Sequence, residues 1–470
     1  MNRRQFIRAT STAAGSAILG SCARQRLYET PKKPNIIYIL ADDLGYGDLG
    51  CYGQTKIRTP HLDQMAAEGM RFTNHYSGST VCAPSRCCLM TGLHTGHTRV
   101  RGNYESGPHG FGACLELRPE DVTVAELLQQ GGYKTGAFGK WSLGIEKTTG
   151  APWKQGFDQF FGYLNQGNAH RYYPDFLWEN DQKVELPENL DGQQSTYSHD
   201  LIIDRALDFI QQNKTQPFFL YLAIAIPHAD LLVPDDSLQE YLGQFEETPY
   251  KEKFYKGQST PKAAFAGMIT RMDRDVGRLF ALLKSLSIDE DTIVIFSSDN
   301  GPHKEGGADP DFFQSAGSFR GYKRDLYEGG IRVPMIARWP GRIQPGQTSD
   351  HPSAFWDFLP MACELANQSI PDGIDGISIL PSMTGKSQKK HDYLYWEFHE
   401  NSTTSQAIRY QNWKGVRHAP NGPLELYDLK TDHGEERNVV DKHPEVYKQL
   451  TAIFDSARTD HELWPLKYYK

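Results

Sequence analysis

Three stretches of this chain are apolar at nearly every position and rich in β-branched and aromatic residues. They are Ile36-Ile37-Tyr38-Ile39-Leu40, Phe218-Phe219-Leu220-Tyr221-Leu222-Ala223 and Thr292-Ile293-Val294-Ile295-Phe296. A strand with one face in water alternates apolar and polar residues. These runs do not alternate, so each reads as a strand covered on both faces, as in a mainly parallel sheet. Helical patterns lie between them at 122–130, 200–212 and 263–284. In the last, Phe265, Met268, Ile269, Met272, Val276, Leu279, Phe280 and Leu283 recur at helical spacing. Strands alternating with helices predict an α/β fold, a mainly parallel sheet between helices.

The pattern changes near Thr384-Gly385-Lys386-Ser387-Gln388-Lys389-Lys390, where the chain turns polar. Short strand-like pieces follow near 393–398, 405–410, 412–418 and 423–428, most separated by Gly or Asn turns. An amphipathic helix begins at about Pro444, with Val446, Leu450, Ile453, Phe454 and Ala457 on one face. The expected division is a large domain over 34–385 and a smaller antiparallel sheet with a helix over 386–470. A chain of 470 residues has ample core for both.

The first residues carry an address rather than fold. Arg3-Arg4-Gln5-Phe6-Ile7-Arg8 precedes a weakly apolar run from Ala9 to Leu19, too short and polar to span a bilayer. Paired arginines ahead of such a run look like a bacterial twin-arginine export signal over 1–21. Leu19-Gly20-Ser21-Cys22 resembles a lipobox, which makes Cys22 the expected lipidation residue and 22–33 a tether. The implied location is periplasmic or anchored to the outer membrane, with the lipid as the only membrane contact and the twin-arginine machinery as a partner. The net charge of −8 includes three arginines in the leader, so the remainder is more acidic still. Broad nucleic-acid binding is not expected of such a chain. The seven cysteines (22, 51, 82, 87, 88, 114 and 363) form no recognisable disulfide framework.

The chemistry-bearing residues lie where strands end and one helix begins. The first apolar strand runs into Asp42-Asp43 and the third into Asp299-Asn300-Gly301. In open α/β sheets the crevice beyond the carboxyl ends of the strands is the ligand site. Two acidic doublets brought together there repel unless a hard cation neutralises them, and all-oxygen donors favour Ca²⁺ or Mg²⁺ over Zn²⁺. Pro84 in Cys82-Ala83-Pro84-Ser85-Arg86 suits the first helical position, which sets Cys82 just ahead of a helix. Free N–H groups, the helix dipole and Arg86 one turn on all favour negative charge there.

With Leu89 and Thr91-Gly92, this run resembles the core motif of the type I sulfatases, Cys-x-Pro-Ser-Arg-x-x-Leu-x-Thr-Gly. The resemblance extends over 34–470. It includes both acidic doublets, Gly132-Tyr133-Lys134-Thr135, Gly139-Lys140-Trp141-Ser142-Leu143-Gly144, and Lys323 ahead of Tyr327-Glu328-Gly329-Gly330, Arg332 and Pro334. It implies an alkaline-phosphatase-like fold and hydrolysis of sulfate esters, with sulfated carbohydrates as the expected substrate. It implies that Cys82 becomes formylglycine through a formylglycine-generating or anaerobic sulfatase-maturing enzyme. Calcium, with magnesium the lesser candidate, would be held by Asp42, Asp43, residue 82, Asp299 and Asn300. Arg86, Lys140 and Lys323 would hold the sulfate, Asp299 would serve as base, and His228 in Ile226-Pro227-His228 would protonate the leaving alcohol. One departure stands out: Ser142 occupies the position of the family's usual His. Asn103, His170, Arg171 and His303 are weaker candidates for substrate contact, Glu305 is a further loop residue, and His94 and His97 are expected supports behind the nucleophile. Two alternatives stay open from sequence: a phosphonate or phosphate monoester hydrolase of the same superfamily, and an inactive lipoprotein that binds sulfated glycans.

Overall fold

The structure is a computed structural model that describes residues 33–103 and 115–470, with the backbone alone at 106–107 and 110–111. The export signal, Cys22 and the tether as far as residue 32 lie outside the described residues. Residues 33–470 pack as one compact unit. Among the described residues, no helix is long and apolar enough to cross a membrane.

A ten-stranded sheet organises the molecule. Its strands are β1 (Asn35–Ala41), β2 (Met70–Phe72), β3 (Lys134–Lys140), β4 (Gln159–Tyr163), β5 (Phe176–Glu179), β6 (Gln182–Glu185), β7 (Phe218–Ala223), β8 (Thr292–Ser298), β9 (Met335–Arg338) and β10 (Gln347–Ser349). Their order across the sheet is β10-β2-β9-β8-β1-β7-β3-β4-β5-β6. The five central strands, β8-β1-β7-β3-β4, are all parallel, and antiparallel pairs flank them on both sides. The three apolar runs are β1, β7 and β8, adjacent at the centre and buried throughout. Ile39 pairs with Leu222 on one side and Phe296 on the other, so apolar side chains stack across the strands in register.

Helices α1 (Cys82–Thr91), α2 (Val124–Gln130), α3 (Ser198–Asn213), α4 (Pro261–Ser285) and α5 (Phe358–Ala366) cover the sheet, and α6 (Pro444–Ser456) lies near the C-terminus; α2, α3, α4 and α6 are the helices that the periodicity predicts. Thr123 and Glu126 close a capping box at the start of α2, which satisfies N–H groups that the helix leaves free. Residues of α3 and α4 share one core with Ile37 and Ile39, whereas α1, α2 and α5 share another with Ile36, Tyr38 and Leu40. That division follows the alternation of β1 side chains across the sheet.

The C-terminal pieces form a four-stranded antiparallel sheet of β11 (Leu394–Phe398), β12 (Ser405–Tyr410), β13 (Trp413–Arg417) and β14 (Glu425–Asp428), in sequential order. Leu450, Ile453 and Phe454 of α6 pack against it. A buried ion cluster ties this sheet to the main body: Lys414 Nζ lies 2.8 Å from Glu328 and 3.5 Å from Glu435, all three side chains fully buried. Trp396 adds a hydrogen bond from its indole N–H to the carbonyl of Ser77, at 3.0 Å.

Candidate active site

Four adjacent parallel strands deliver their C-terminal ends to one place. Asp42 and Asp43 follow β1, Asp299 and Asn300 follow β8, Lys140 ends β3, and His228 lies on the segment after β7. The backbone fixes the ends together: Asp299 N–H donates to the Ala41 carbonyl at 3.1 Å, and Asp42 N–H to that of Ile226 at 3.1 Å. Gly139, before Lys140, has φ +112°, and a Cβ there would collide with the Ala223 carbonyl. The side-chain-free residue is what lets β3 approach β7 beside the site.

Helix α1 begins at Cys82 itself, with Val81 as its cap, two residues earlier than the proline suggests. Pro84 therefore occupies the third helical position. The N–H groups of the first turn have no helical partner, so the missing donor still costs nothing. The Ala83 N–H is instead taken by Asn103 Oδ1 at 3.2 Å. Cys82 is fully buried, and its thiol donates to Asp42 Oδ1 at 3.4 Å. Burial first, and the charge of Asp42 next, push this thiol well above its ordinary value. An unmodified Cys82 thus stays protonated and is a poor nucleophile.

Charge in the cluster is closely paired. Lys140 Nζ lies 2.6 Å from Asp42 Oδ2, and Lys323 Nζ 2.8 Å from Asp43 Oδ2. Arg86 donates through Nε and Nη2 to Asp299 Oδ2, at 3.0 and 2.8 Å, and through Nη1 to the Lys140 carbonyl. Arg86 is completely buried behind the carboxylates. Its charge is paired with Asp299 and lies 3.3 Å from Asp42. Burial opposes ionisation of Asp42, but Lys140 and then Arg86 hold its pKa well below the carboxylate range. Asp299 goes the other way: burial and the neighbouring Asp42 push it up to about 7 despite Arg86.

These residues fit a hard divalent cation. Donor atoms of Asp42, Asp43, Cys82 and His228 converge within 4.8 Å of one another. The Asn300 amide donates through Nδ2 to Asp43 Oδ1 at 2.7 Å, while its buried Oδ1 has no partner. A buried carbonyl oxygen without a donor is costly, and a cation beside it removes that cost. The inventory says the same. Asp42, Asp43, Asp299 and Glu305 face Lys140, Lys323, Arg86 and Arg324, which leaves no net charge to hold an anion until a divalent ion is added.

His228 is buried, with Nδ1 against the Ala229 carbonyl and Nε2 3.1 Å from Lys323 Nζ. Burial first and Lys323 next lower its pKa to about 4, so the ring is neutral at neutral pH. With Nδ1 donating to the carbonyl, Nε2 accepts from the ammonium of Lys323. Burial opposes the charge on Lys323, but Asp43 and Glu305 hold its ammonium well above the ordinary lysine range, so it stays charged beside the neutral ring.

The weaker candidates divide. The His170 ring stacks on His228, centroids 4.6 Å apart and planes 9° from parallel. Arg171 lines an open cleft beside His170. His303 faces backbone instead, with Nε2 on the Pro227 carbonyl and Nδ1 accepting from Glu305 N–H. It buttresses the His228 turn, and its expected substrate contact is corrected. Asn103 is likewise turned inward, its Oδ1 shared by Ala83 N–H and Gln166 Nε2. His94 and His97 stack at 4.4 Å and flank Asp375 just past the far end of α1. Ser142 has φ +69° and a buried Oγ with no partner. Glu305, expected only as a loop residue that could face the pocket, accepts from Lys323 at 3.1 Å, Tyr255 at 2.9 Å and Arg324 at 2.6 Å. Nothing in the linear sequence pairs residues 18 and 50 positions apart.

Comparison with known proteins is decisive at this point. The family model described as Sulfatase matches residues 34–368, and one described as N-sulphoglucosamine sulphohydrolase, C-terminal, matches 317–460. The chain belongs to the sulfatase family. Among curated relatives, it is 33% identical to arylsulfatase A of Homo sapiens, over 90% of this chain and 87% of that one. It is 29% identical to N-acetylgalactosamine-6-O-sulfatase of Bacteroides thetaiotaomicron, over 95% and 98%. A solved structure, Ps i-CgsB in complex with k-i-k-neocarrahexaose, is similar with a TM-score of 0.78, 27% identity and coverage of 91% and 93%. This sulfatase therefore hydrolyses sulfate esters on an alkaline-phosphatase-like scaffold.

Proposed function

We propose that this protein is a calcium-dependent, formylglycine-bearing sulfatase that acts on sulfated carbohydrates outside the bacterial cytoplasm. The observation that carries the reading is the convergence of Asp42, Asp43 and His228 on Cys82 at the start of α1, with Asp299 and Asn300 hydrogen-bonded to Asp43 and with Lys140 and Lys323 paired to the two carboxylates. Oxygen donors predominate, which favours calcium over softer metals. Related proteins, among them an N-acetylgalactosamine-6-O-sulfatase and one solved in complex with a neocarrahexaose, support a glycan substrate.

When present, the cation supplies positive charge to sulfate oxygens, and formylglycine supplies a hydrate with one hydroxyl to attack sulfur and a second to expel the sulfate. The chain's own residues do the rest. Asp42, Asp43, Asp299 and Asn300 hold the cation. Lys140 and Lys323 border residue 82 and stabilise charge that develops on the sulfate oxygens; a single preorganised donor of this kind is worth about 10²–10³ in rate. Asp299, held by Arg86 beside the cation site, is the base in this reading. His228 is assigned to protonate the departing alcohol, with Lys323 beside its Nε2 and Glu305 holding that ammonium in place.

Burial also orders maturation. Residue 82 is inaccessible once α1 is packed, so conversion to the aldehyde precedes folding. Twin-arginine export carries folded chains, which places conversion in the cytoplasm, and Cys22 then takes the lipid outside. Mass spectrometry of the peptide containing residue 82, with free-sulfate measurement over a panel of sulfated oligosaccharides, tests the reading. Unconverted Cys82 in active enzyme, or release of phosphate in preference to sulfate, would refute it.

A further inference from the structure

The site does not end at His228. His170, stacked on that ring, is also part of the wall of an open cleft of about 530 Å³. A glycan whose sulfated ring sits at His228 continues past His170 into this cleft. Phe254 lines it, 63% exposed, with its ring 6.0 Å from His170 and steeply inclined to it. An exposed aromatic face of this kind suits the apolar face of a sugar ring.

The electrostatics differ from those at the reacting centre. Among the described residues, carboxylates from Asp175, Asp191, Asp230 and Glu252 line the cleft, against Arg171 and Lys256. The Lys256 ammonium lies 3.2 Å from Glu252, so that pair largely cancels. Asp175, Asp191 and Asp230 then face the single charge of Arg171. Arg324, the nearest further cation on the Lys323 loop, is already held by Glu305. The cations needed for sulfate are thus concentrated at residue 82, and the adjoining cleft is acidic. Carboxylates accept hydrogen bonds from sugar hydroxyls. They repel a second sulfate or a uronate, and like-charge juxtaposition is an effective way to exclude a ligand.

We propose that this cleft selects an uncharged, hydroxyl-bearing sugar next to the sulfated ring and rejects a neighbour carrying sulfate or carboxylate. The inference rests on the sulfatase reading above. It is tested with pairs of sulfated disaccharides that share the sulfated ring and differ only in whether the neighbour is neutral or anionic. The expected kcat/KM favours the neutral neighbour by about tenfold or more, and the double change Asp175→Asn with Asp191→Asn narrows that ratio. Equal rates on both members, preference for the anionic neighbour, or a ratio unmoved by the double variant would overturn the proposal. A small aryl sulfate, too short to reach the cleft, separates the two readings. Turnover of that ester with none of either disaccharide overturns the cleft proposal alone. Failure on all three overturns the sulfatase reading, and this proposal with it.

Discussion

Replacing Lys140 by Met tests the electrostatic core of the site. Lys140 Nζ and Asp42 Oδ2 are 2.6 Å apart, and both side chains are at most 1% exposed. Without the ammonium, Asp42 keeps Arg86 at 3.3 Å, and that guanidinium already serves Asp299. Breaking a buried ion pair from one side costs about 3–5 kcal/mol, because the remaining charge stays buried and unpaired. The pH dependence follows from Asp42. Burial raises its pKa, and Lys140 and Arg86 together overcome that effect. A carboxyl whose folded pKa lies below its unfolded value stabilises the fold above the unfolded value and loses that contribution as pH falls through the folded one. In Lys140→Met burial prevails, so Asp42 takes up a proton more readily and the variant suffers less as acid is added. The deficit against the parent protein is therefore largest near neutral pH and narrows towards the ordinary carboxylate range near about 4. Urea unfolding midpoints in EDTA at about pH 7 and about pH 5, with unchanged m, measure it. Added calcium shrinks the deficit, because a cation among the same donors replaces the lost charge. A neutral-pH deficit under about 1 kcal/mol, the worth of a surface pair, or one that grows on acidification, refutes the pairing.

Cys82→Ser supplies one hydroxyl where the aldehyde hydrate supplies two, so we expect a single sulfation at position 82 and then arrest; sustained sulfate release by this variant would count against the scheme. Chelation with EDTA abolishes turnover and lowers the melting temperature, and calcium restores both. Saturation at a hundredfold over Kd is worth about 2.7 kcal/mol, and a melting curve indifferent to calcium would remove the ion from the site. Lys414→Met leaves buried Glu435 without its cation and Glu328 with Arg332 alone, and costs about 3–5 kcal/mol, read by denaturant unfolding; a loss within about 0.5 kcal/mol would mean the junction does not depend on this cluster. Cys22→Ala abolishes incorporation of labelled palmitate, and label that persists in the variant excludes lipidation there.

Much of the fold was legible in the chain because burial on both faces leaves a mark that periodicity exposes. Strands β1, β7 and β8 lack alternation and so could only be central. The long helix α4 declared itself through its apolar spacing, and the four C-terminal strands fell within a residue or two of the expected bounds. The acidic doublets were legible for a related reason: they interrupt apolar runs where a parallel sheet opens its crevice. The start of α1 was misplaced by two residues, since proline suits any position of the first turn and does not distinguish among them.

The sequence by itself determined the class of architecture, the position of the nucleophile precursor and the oxygen character of the metal donors, because each depends on residue type and local pattern. The tertiary structure alone decided which charges meet. It paired Arg86 with Asp299, turned His303 towards backbone and Asn103 towards Ala83 N–H and Gln166, and brought Glu305 onto Lys323. It also placed an acidic cleft beside a cationic centre, across the stacked rings of His170 and His228. Those pairings join strand ends and loops far apart in the chain, and only the closing of the sheet brings them within hydrogen-bonding distance.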